Sequence, residues 1–126
     1  MEQLHRADLA PAPFKRALAS KDEIEITVIG RRTGRPISLP VWFVVEDDTL
    51  YLLPVEGSDT EWFKNLQKNP AMILSAAGIR FDARARLITD PVKVREIADK
   101  FRSKYGPGNV KKYYSKFDVA VEIALA

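Results

Sequence analysis

The sequence contains no cysteine and a single histidine, His5, among its 126 residues. Without cysteine the chain cannot form a disulfide framework, a thiolate nucleophile or a zinc site built on cysteine ligands. We expect the N-terminal segment that carries His5 to be loosely held, which excludes a Ser-His-Asp triad with its base on a rigid element. If the protein is an enzyme, carboxylates or a bound cofactor must therefore supply the chemistry.

Long apolar runs are also missing. No stretch approaches the ~20 apolar residues that a helix needs to cross a bilayer, and the first six residues are mainly polar. Because the absence of cysteine is compatible with the cytosol, we expect a soluble, cytoplasmic protein. The length fits one domain around one core, so we predict a single domain over residues 1–126, in which residues 1–22 form an N-terminal arm and a short helix.

The formal net charge is only +3, but the charges are unevenly distributed. Arg31, Arg32 and Arg35 share a short window without an acid, and residues 80–116 contain eleven Lys or Arg against four Asp or Glu. This asymmetry indicates an anionic partner, either a phosphate on a small molecule or nucleic acid, although ordinary solvated faces would produce the same pattern.

Hydrophobic periodicity gives the order of the elements. It predicts strands over residues 23–29, 37–45, 50–55, 71–77, 80–87 and 117–125, and helices over residues 13–19, 59–68, 91–105 and 109–115. The strand over residues 37–45 is apolar on both faces, so we expect both faces to be covered. Strands come in runs with helices inserted between them, which favours an antiparallel α+β barrel over a parallel Rossmann sheet. No Gly-x-Gly-x-x-Gly follows a strand, in agreement with this choice.

Two loops carry groups that could bind an anion. In the first, the guanidinium forks of Arg31 and Arg32 and the hydroxyl of Thr33 suit phosphate or carboxylate oxygens, although a surface hairpin would have the same composition. The second is the Gly57-Ser58 step into a helix, where Ser58 and Glu61 match a capping box. A helix start of this kind offers free amide donors to an anion, and ordinary capping is the alternative.

Aromatic residues form a third group of candidates. Trp42, Trp62, Tyr105, Tyr113 and Tyr114 could border a flat heteroaromatic cofactor or simply belong to the core. No pair of carboxylates is placed for glycoside hydrolysis. A redox cofactor is therefore the enzyme hypothesis that remains.

Several runs of the sequence resemble a known family. They are residues 27–36 (Thr-Val-Ile-Gly-Arg-Arg-Thr-Gly-Arg-Pro), residues 40–45, residues 50–53, and residues 61–66 (Glu-Trp-Phe-Lys-Asn-Leu) followed by Asn69-Pro70. Together they resemble the deazaflavin-dependent nitroreductase and quinone reductase family, which are split-barrel proteins of the pyridoxamine-phosphate-oxidase and flavin reductase type. The resemblance covers the chain from about Ile24 onward.

The resemblance implies a homodimeric, six-stranded antiparallel split β-barrel that binds the F-420 deazaflavin, or FMN, beside the barrel. Arg31 and Arg32 match the positions that hold the cofactor's phosphate and acidic tail, and Pro40 matches the wall beside the ring. The family's Ser-Lys-Gly-Gly type loop corresponds to Val55, Glu56, Gly57 and Ser58, so Glu56 stands where relatives carry Lys. The remaining matched positions are Trp62, beside the ring, and Tyr113 and Tyr114, on the substrate side.

We therefore expect an oxidoreductase in which reduced F-420, or FMN, gives a hydride to a quinone, a nitro compound or another conjugated small-molecule acceptor. The alternative is a flavin- or haem-binding carrier or sensor of the same fold without turnover, motivated by Glu56. A nucleic-acid binder, motivated by the basic residues 80–116, is the weakest alternative because no nucleic-acid-binding motif with interleaved aromatic residues is present.

Overall fold

The structure is a computed structural model that describes residues 10–126. The N-terminal segment with His5, which the sequence predicts to be loosely held, lies outside the described residues. Of the helices in residues 10–126, none combines the length and the apolar character that crossing a bilayer requires.

The described chain contains four α-helices and eight strand segments. In order they are α1 (Ala12–Leu18), β1 (Glu23–Ile29), β2 (Pro36–Trp42), β3 (Val44–Glu46), β4 (Thr49–Leu52), α2 (Glu61–Lys68), β5 (Ala71–Ala76), β6 (Ile79–Arg84), β7 (Arg86–Ile88), α3 (Pro91–Tyr105), α4 (Pro107–Tyr113) and β8 (Ala120–Ala124). A short 3-10 turn, Gly57–Asp59, precedes α2.

The strands form two antiparallel sheets of four strands each. The first sheet has the order β2-β1-β5-β6 and the second the order β3-β4-β8-β7. The prediction of a mixed α+β fold with antiparallel strands is therefore confirmed. The closed six-stranded barrel is not: among residues 10–126, the ladders form two open sheets rather than one closed ring.

Two predicted strands are each divided between the sheets. Residues 37–45 bend at Phe43, whose backbone N–H donates to the Tyr105 hydroxyl at 3.0 Å, so β2 and β3 join different sheets. Residues 80–87 bend at Ala85, whose N–H donates to the Pro70 carbonyl at 2.8 Å, and this separates β6 from β7. The chain thus continues from one sheet into the other at these two corners.

Strand β4 of the second sheet is buried on both faces. From β4, Leu50 and Leu52 face a core that also contains side chains of β1, α1 and α2. Tyr51 and Leu53 face a second cluster, built mainly from α3 and α4. β4 thus lies between the two clusters, which explains why Leu50, Tyr51 and Leu52 are all buried.

Within the single chain, β2 is not covered on both faces, which differs from the prediction for residues 37–45. β2 is an edge strand of the first sheet, most of its residues are exposed, and Ile37 retains 45 % of its accessible surface. Only Phe43 and Val44, at and after the bend, are buried in this stretch.

The start of α2 also differs from the prediction. The helix begins at Glu61 and not at residue 59, and Thr60 stands at its N-cap without a side-chain capping bond. The predicted capping box is not formed, because Ser58 donates to Asp118 and the Glu61 carboxylate pairs with Arg31. By contrast, β1 has the predicted bounds, and Asp90 caps α3 as predicted by accepting from the N–H of Lys93 at 3.1 Å.

Candidate functional site

A groove runs along β2 and the start of α2 and consists of two adjoining cavities. The aromatic cavity, of about 590 Å³, is bordered by Pro40 and Trp42 from β2, Trp62 from α2, and Tyr113 and Tyr114 from the end of α4. The cationic cavity, of about 390 Å³, is bordered by Arg31, Arg32 and Thr33 from the β1–β2 loop and by Asn65 from α2. Both cavities share Leu39, Glu61 and Trp62, so the two spaces meet at the first turn of α2.

Arg31 joins the β1–β2 loop to α2. Its Nη2 donates to Glu61 Oε1 at 2.8 Å, while its Nη1 and its backbone N–H donate to Asn65 Oδ1 at 2.8 and 3.1 Å. The arginine side chain is 20 % exposed and Asn65 is buried, which makes this a well-ordered anchor. Hydrogen bonding to Arg31, and then its charge, lower the pKa of Glu61. Much of the Arg31 donor set is therefore already used inside the protein.

The rest of the loop leaves donors exposed. Gly30 and Arg35 close the loop through a 2.8 Å bond between the Gly30 N–H and the Arg35 carbonyl, and Thr33 Oγ1 accepts from the Arg35 N–H at 3.2 Å. Within residues 10–126 Arg32 has no salt-bridge partner, and its side chain borders the cationic cavity. Arg32 is thus the available fixed charge at this end of the groove.

The turn formed by Glu56, Gly57 and Ser58 lies outside both cavities. The N–H and hydroxyl of Ser58 donate to the Asp118 carboxylate at 2.9 and 2.6 Å. Burial alone would raise the pKa of Asp118. The hydrogen bonds from Ser58 and the charge of Lys116 outweigh this effect, so the pKa lies below its usual value. The donors that the sequence offered to an external anion are therefore occupied by a carboxylate of the same chain.

The aromatic wall is built around Trp42. Its ring stacks on Tyr105 with centroids 4.3 Å apart and a 7° interplanar angle, and Tyr113 meets it edge-on at 5.6 Å. The Tyr105 hydroxyl accepts from the Phe43 N–H and lies 2.7 Å from the carbonyls of Asp22 and Phe43, and burial raises the pKa of this phenol to about 12. Tyr105 is thus a structural support behind the wall.

The two tyrosines predicted on the substrate side differ in environment. Tyr113 is 54 % exposed, whereas Tyr114 is 6 % exposed, and burial raises the pKa of the Tyr114 phenol. Both line the aromatic cavity because α4 ends beside β2.

Most of the residues predicted for the site meet at this groove, eight in all: Arg31, Arg32, Thr33, Pro40, Val55, Trp62, Tyr113 and Tyr114. Glu56, Gly57 and Ser58 lie outside it. Glu23, Glu61 and Asn65 also line the groove, although the sequence predicts no role for them at the site. Asn65 follows Arg31 by 34 positions and shows no local motif, whereas the alternation of β1 and β2 brings Glu23 opposite Trp42.

Comparison by sequence identifies the family. Residues 16–122 match the family described as "Uncharacterized protein conserved in bacteria (DUF2255)". The chain belongs to this family. No curated protein matches the sequence.

Solved structures show how widely the fold of this DUF2255 chain is shared. One, described as an F420-H2 dependent reductase (FDR-A), has a TM-score of 0.63 at 16 % identity and covers 82 % of this chain and 94 % of its own. The haem storage protein HutZ from Vibrio cholerae has a TM-score of 0.66 at 14 % identity, with 92 % and 89 % covered. A third, described as a domain-swapped dimer, has a TM-score of 0.65 at 16 % identity, with 82 % and 80 % covered. At identities of 14–16 %, the TM-scores of 0.63–0.66 show similarity of fold alone.

Proposed function

We propose that this DUF2255 protein binds a flavin-type cofactor, F-420 or FMN, in the groove and acts as an oxidoreductase toward a conjugated small-molecule acceptor. One observation carries the proposal: an aromatic cavity of about 590 Å³ shares Leu39, Glu61 and Trp62 with a neighbouring cavity edged by Arg31 and Arg32. Flavin-type cofactors combine these two chemistries, a planar ring and an anionic tail. The F420-H2 dependent reductase of similar fold adds support.

The residues of the groove fit such a cofactor at both ends. Trp62 and Pro40 offer apolar surfaces against which a ring can lie, and Trp62 borders both cavities. Arg32 and Thr33 can hold the anionic end, while Arg31 fixes the loop that carries them. Glu61 is a local exception because its carboxylate lies between the cavities, where its pair with Arg31 offsets the negative charge.

The cofactor, when bound, supplies the hydride for the acceptor, and the protein needs no histidine base for this step. Its own residues bind, orient and exclude water. Val55, Tyr113 and Tyr114 line the aromatic cavity, and burial, which raises the pKa of Tyr114, keeps its hydroxyl neutral. We assign Glu56, Gly57 and Ser58 an indirect role, since they hold the segment that follows Tyr114 through Asp118.

We also propose that the protein is a homodimer. β2 presents a free edge and a largely exposed surface, and Ile37 and Val55 are exposed apolar side chains beside the groove. A second copy would cover this surface, and a structure of the same fold is described as a domain-swapped dimer. Sedimentation equilibrium at micromolar concentration should give twice the chain mass; a monomer would contradict the proposal.

Fluorescence titration with F-420 and with FMN tests cofactor binding. We expect Arg32→Ala to weaken binding by about tenfold because a charge-assisted hydrogen bond to the anionic end is lost. Arg84→Ala is the matched control, since Arg84 is an exposed arginine of β6 that lies away from both cavities. If neither cofactor binds at tens of micromolar, the proposal is wrong.

Turnover separates the enzyme from a carrier of the same fold, which is the second candidate and is consistent with the fold shared with HutZ. Reduced cofactor bound to the protein should be oxidised when menadione or a nitroaromatic compound is added. A cofactor that binds but is not oxidised by either acceptor would favour the carrier.

A further inference from the structure

The charges around the aromatic cavity have one sign. Among the residues that line it, only Glu23 and Glu61 carry a charge, and both are acids. No lysine or arginine lines this cavity, although the chain as a whole is basic. The basic residues of the groove border the neighbouring cationic cavity instead. The groove is therefore electrically divided along its length.

Four aromatic side chains complete the lining: Trp42, Trp62, Tyr113 and Tyr114. The face of an aromatic ring is electronegative, so rings that surround a cavity attract a cation and disfavour an anion. This chain already uses the interaction, because the Nζ of Lys104 lies 3.7 Å from the centre of the Phe43 ring. The Nζ of Lys112 lies 5.3 Å from the centre of the Tyr113 ring. Among residues 10–126, no lysine or arginine lies over the ring of Trp42, Trp62 or Tyr114.

The two acids differ in how far they are neutralised. Glu61 pairs with Arg31 at 2.8 Å and lies 3.7 Å from the Nζ of Lys64. Glu23 has no salt-bridge partner among residues 10–126, and the β1–β2 ladder places it directly opposite Trp42. An uncompensated carboxylate thus stands beside the indole that forms the wall.

The Tyr114 hydroxyl is a further polar group at this cavity. Tyr114 is 6 % exposed, and its hydroxyl forms no hydrogen bond with any residue from 10 to 126. Because Tyr114 lines the aromatic cavity, we include its hydroxyl in the proposed site.

We propose that the aromatic cavity binds an organic cation, such as a quaternary ammonium or an N-alkylated heteroaromatic compound, through Trp42, Glu23 and Tyr114. Binding of the cation does not require the proposed function. Only a role as hydride acceptor rests on it, and that role applies to the N-alkylated heteroaromatic cations, which can take a hydride at a ring carbon to give a neutral dihydro compound; a quaternary ammonium would bind without reacting.

Choline and its uncharged isostere 3,3-dimethylbutan-1-ol are a matched pair of probes for this site. Binding to the cofactor-free protein is followed by tryptophan fluorescence and by the proton NMR shift of the methyl groups, which ring currents move upfield. We expect choline to bind at least tenfold more tightly than the isostere, a difference of about 1.4 kcal/mol. Equal binding of the two probes, or no binding of choline at tens of millimolar, would overturn the proposal.

Variants locate the site. Glu23→Gln should weaken choline binding severalfold, and Glu25→Gln is its control, because Glu25 is an exposed acid two positions along β1 that lines neither cavity. Tyr114→Phe tests the hydroxyl without removing the ring. If the two glutamine variants weaken binding equally, the effect is one of overall charge and the proposed site is wrong. Separate titration with F-420 and FMN reports on the proposed function, so either proposal can fail without the other.

Discussion

Gly57 offers the sharpest test of how the wall of the groove is held. Its φ is +56°, in the left-handed region that favours glycine. A Cβ at this position would overlap Asp118 Oδ1 and lie 2.9 Å from Lys116 Cγ. Gly57→Ala therefore has two costs, the backbone conformation and the displacement of the segment that carries Asp118.

The left-handed conformation costs an alanine about 1–2 kcal/mol. Displacing Asp118 weakens the two hydrogen bonds that it accepts from Ser58. Because this carboxylate is 39 % exposed and water replaces part of the loss, we take about 1.5–3 kcal/mol for the two bonds together. We expect Gly57→Ala to lower the free energy of unfolding by about 3–5 kcal/mol, a large share of the ~5–15 kcal/mol typical of a domain.

Gly78→Ala is the matched control. Gly78 has a φ of +76°, and a Cβ there would have no heavy atom within 4 Å, so this variant has the backbone cost alone. Thermal unfolding of both variants is followed by circular dichroism. We expect the Tm of Gly57→Ala to be about 6–12 °C below that of Gly78→Ala, taking ~4 °C per kcal/mol for a chain of this size. Equal Tm values for the two variants would refute the steric argument.

Three further predictions concern other interactions. Tyr105→Phe should lower stability near pH 8 by about 1–3 kcal/mol because it leaves the Phe43 N–H without its partner. The folded-state pKa of Tyr105, about 12, lies above the ordinary value of 10.0. This phenol therefore contributes stability below about pH 10 that is lost as the pH rises toward 12. Urea unfolding at pH 8 and pH 11 should show a smaller decrease in the free energy of unfolding for Tyr105→Phe than for the parent. Asp90→Ala should lower the free energy of unfolding by about 1 kcal/mol through loss of the N-cap, whereas Asp90→Ser should retain most of it, and equal loss in both would contradict the capping role. Arg31→Ala should return the pKa of Glu61 toward its ordinary value, as measured by NMR titration of the carboxyl carbon. Arg35→Ala is the control, because Arg35 belongs to the same loop but does not contribute to the shift, so the pKa of Glu61 should stay lowered.

Elements whose signals are local could be predicted from the sequence. β1 alternates apolar and polar side chains over its whole length, and its bounds match the prediction. Helix α3 begins after Asp90 and ends before Gly106, because an N-cap residue and a first-turn proline mark its start and a glycine marks its end. Each of these features depends on neighbours within about four positions.

The strand corners at Phe43 and Ala85 could not be predicted in the same way. The β-rich, apolar character of residues 37–45 continues through the corner, and nothing in the sequence near Phe43 interrupts it. The bend is stabilised by Tyr105 and Lys104, which bond the Phe43 backbone from more than 60 positions away. A single bent strand and a straight one therefore have the same periodicity, and only tertiary contacts distinguish them.

Ser58 shows the same limit in the candidate site. Its spacing from Glu61 satisfies the capping-box pattern, but two stronger long-range partners compete for these side chains. Asp118, 60 positions away, accepts both donors of Ser58, and Arg31 takes the Glu61 carboxylate. Charge-assisted bonds of this kind exceed a neutral capping bond, so the local pattern is overruled.

The electrical division of the groove follows from strand register and not from composition. A net charge of +3 and an arginine-rich loop predict an anionic ligand, and the cationic cavity fits that prediction. The antiparallel register of β1 and β2 then places Glu23 opposite Trp42, at the end of the ladder away from Arg31. A shift of the register by one residue would move Trp42 to the other face of the sheet and remove the acid from beside it. The preference of the aromatic cavity for a cation is therefore a property of the pairing, which no local stretch of the sequence contains.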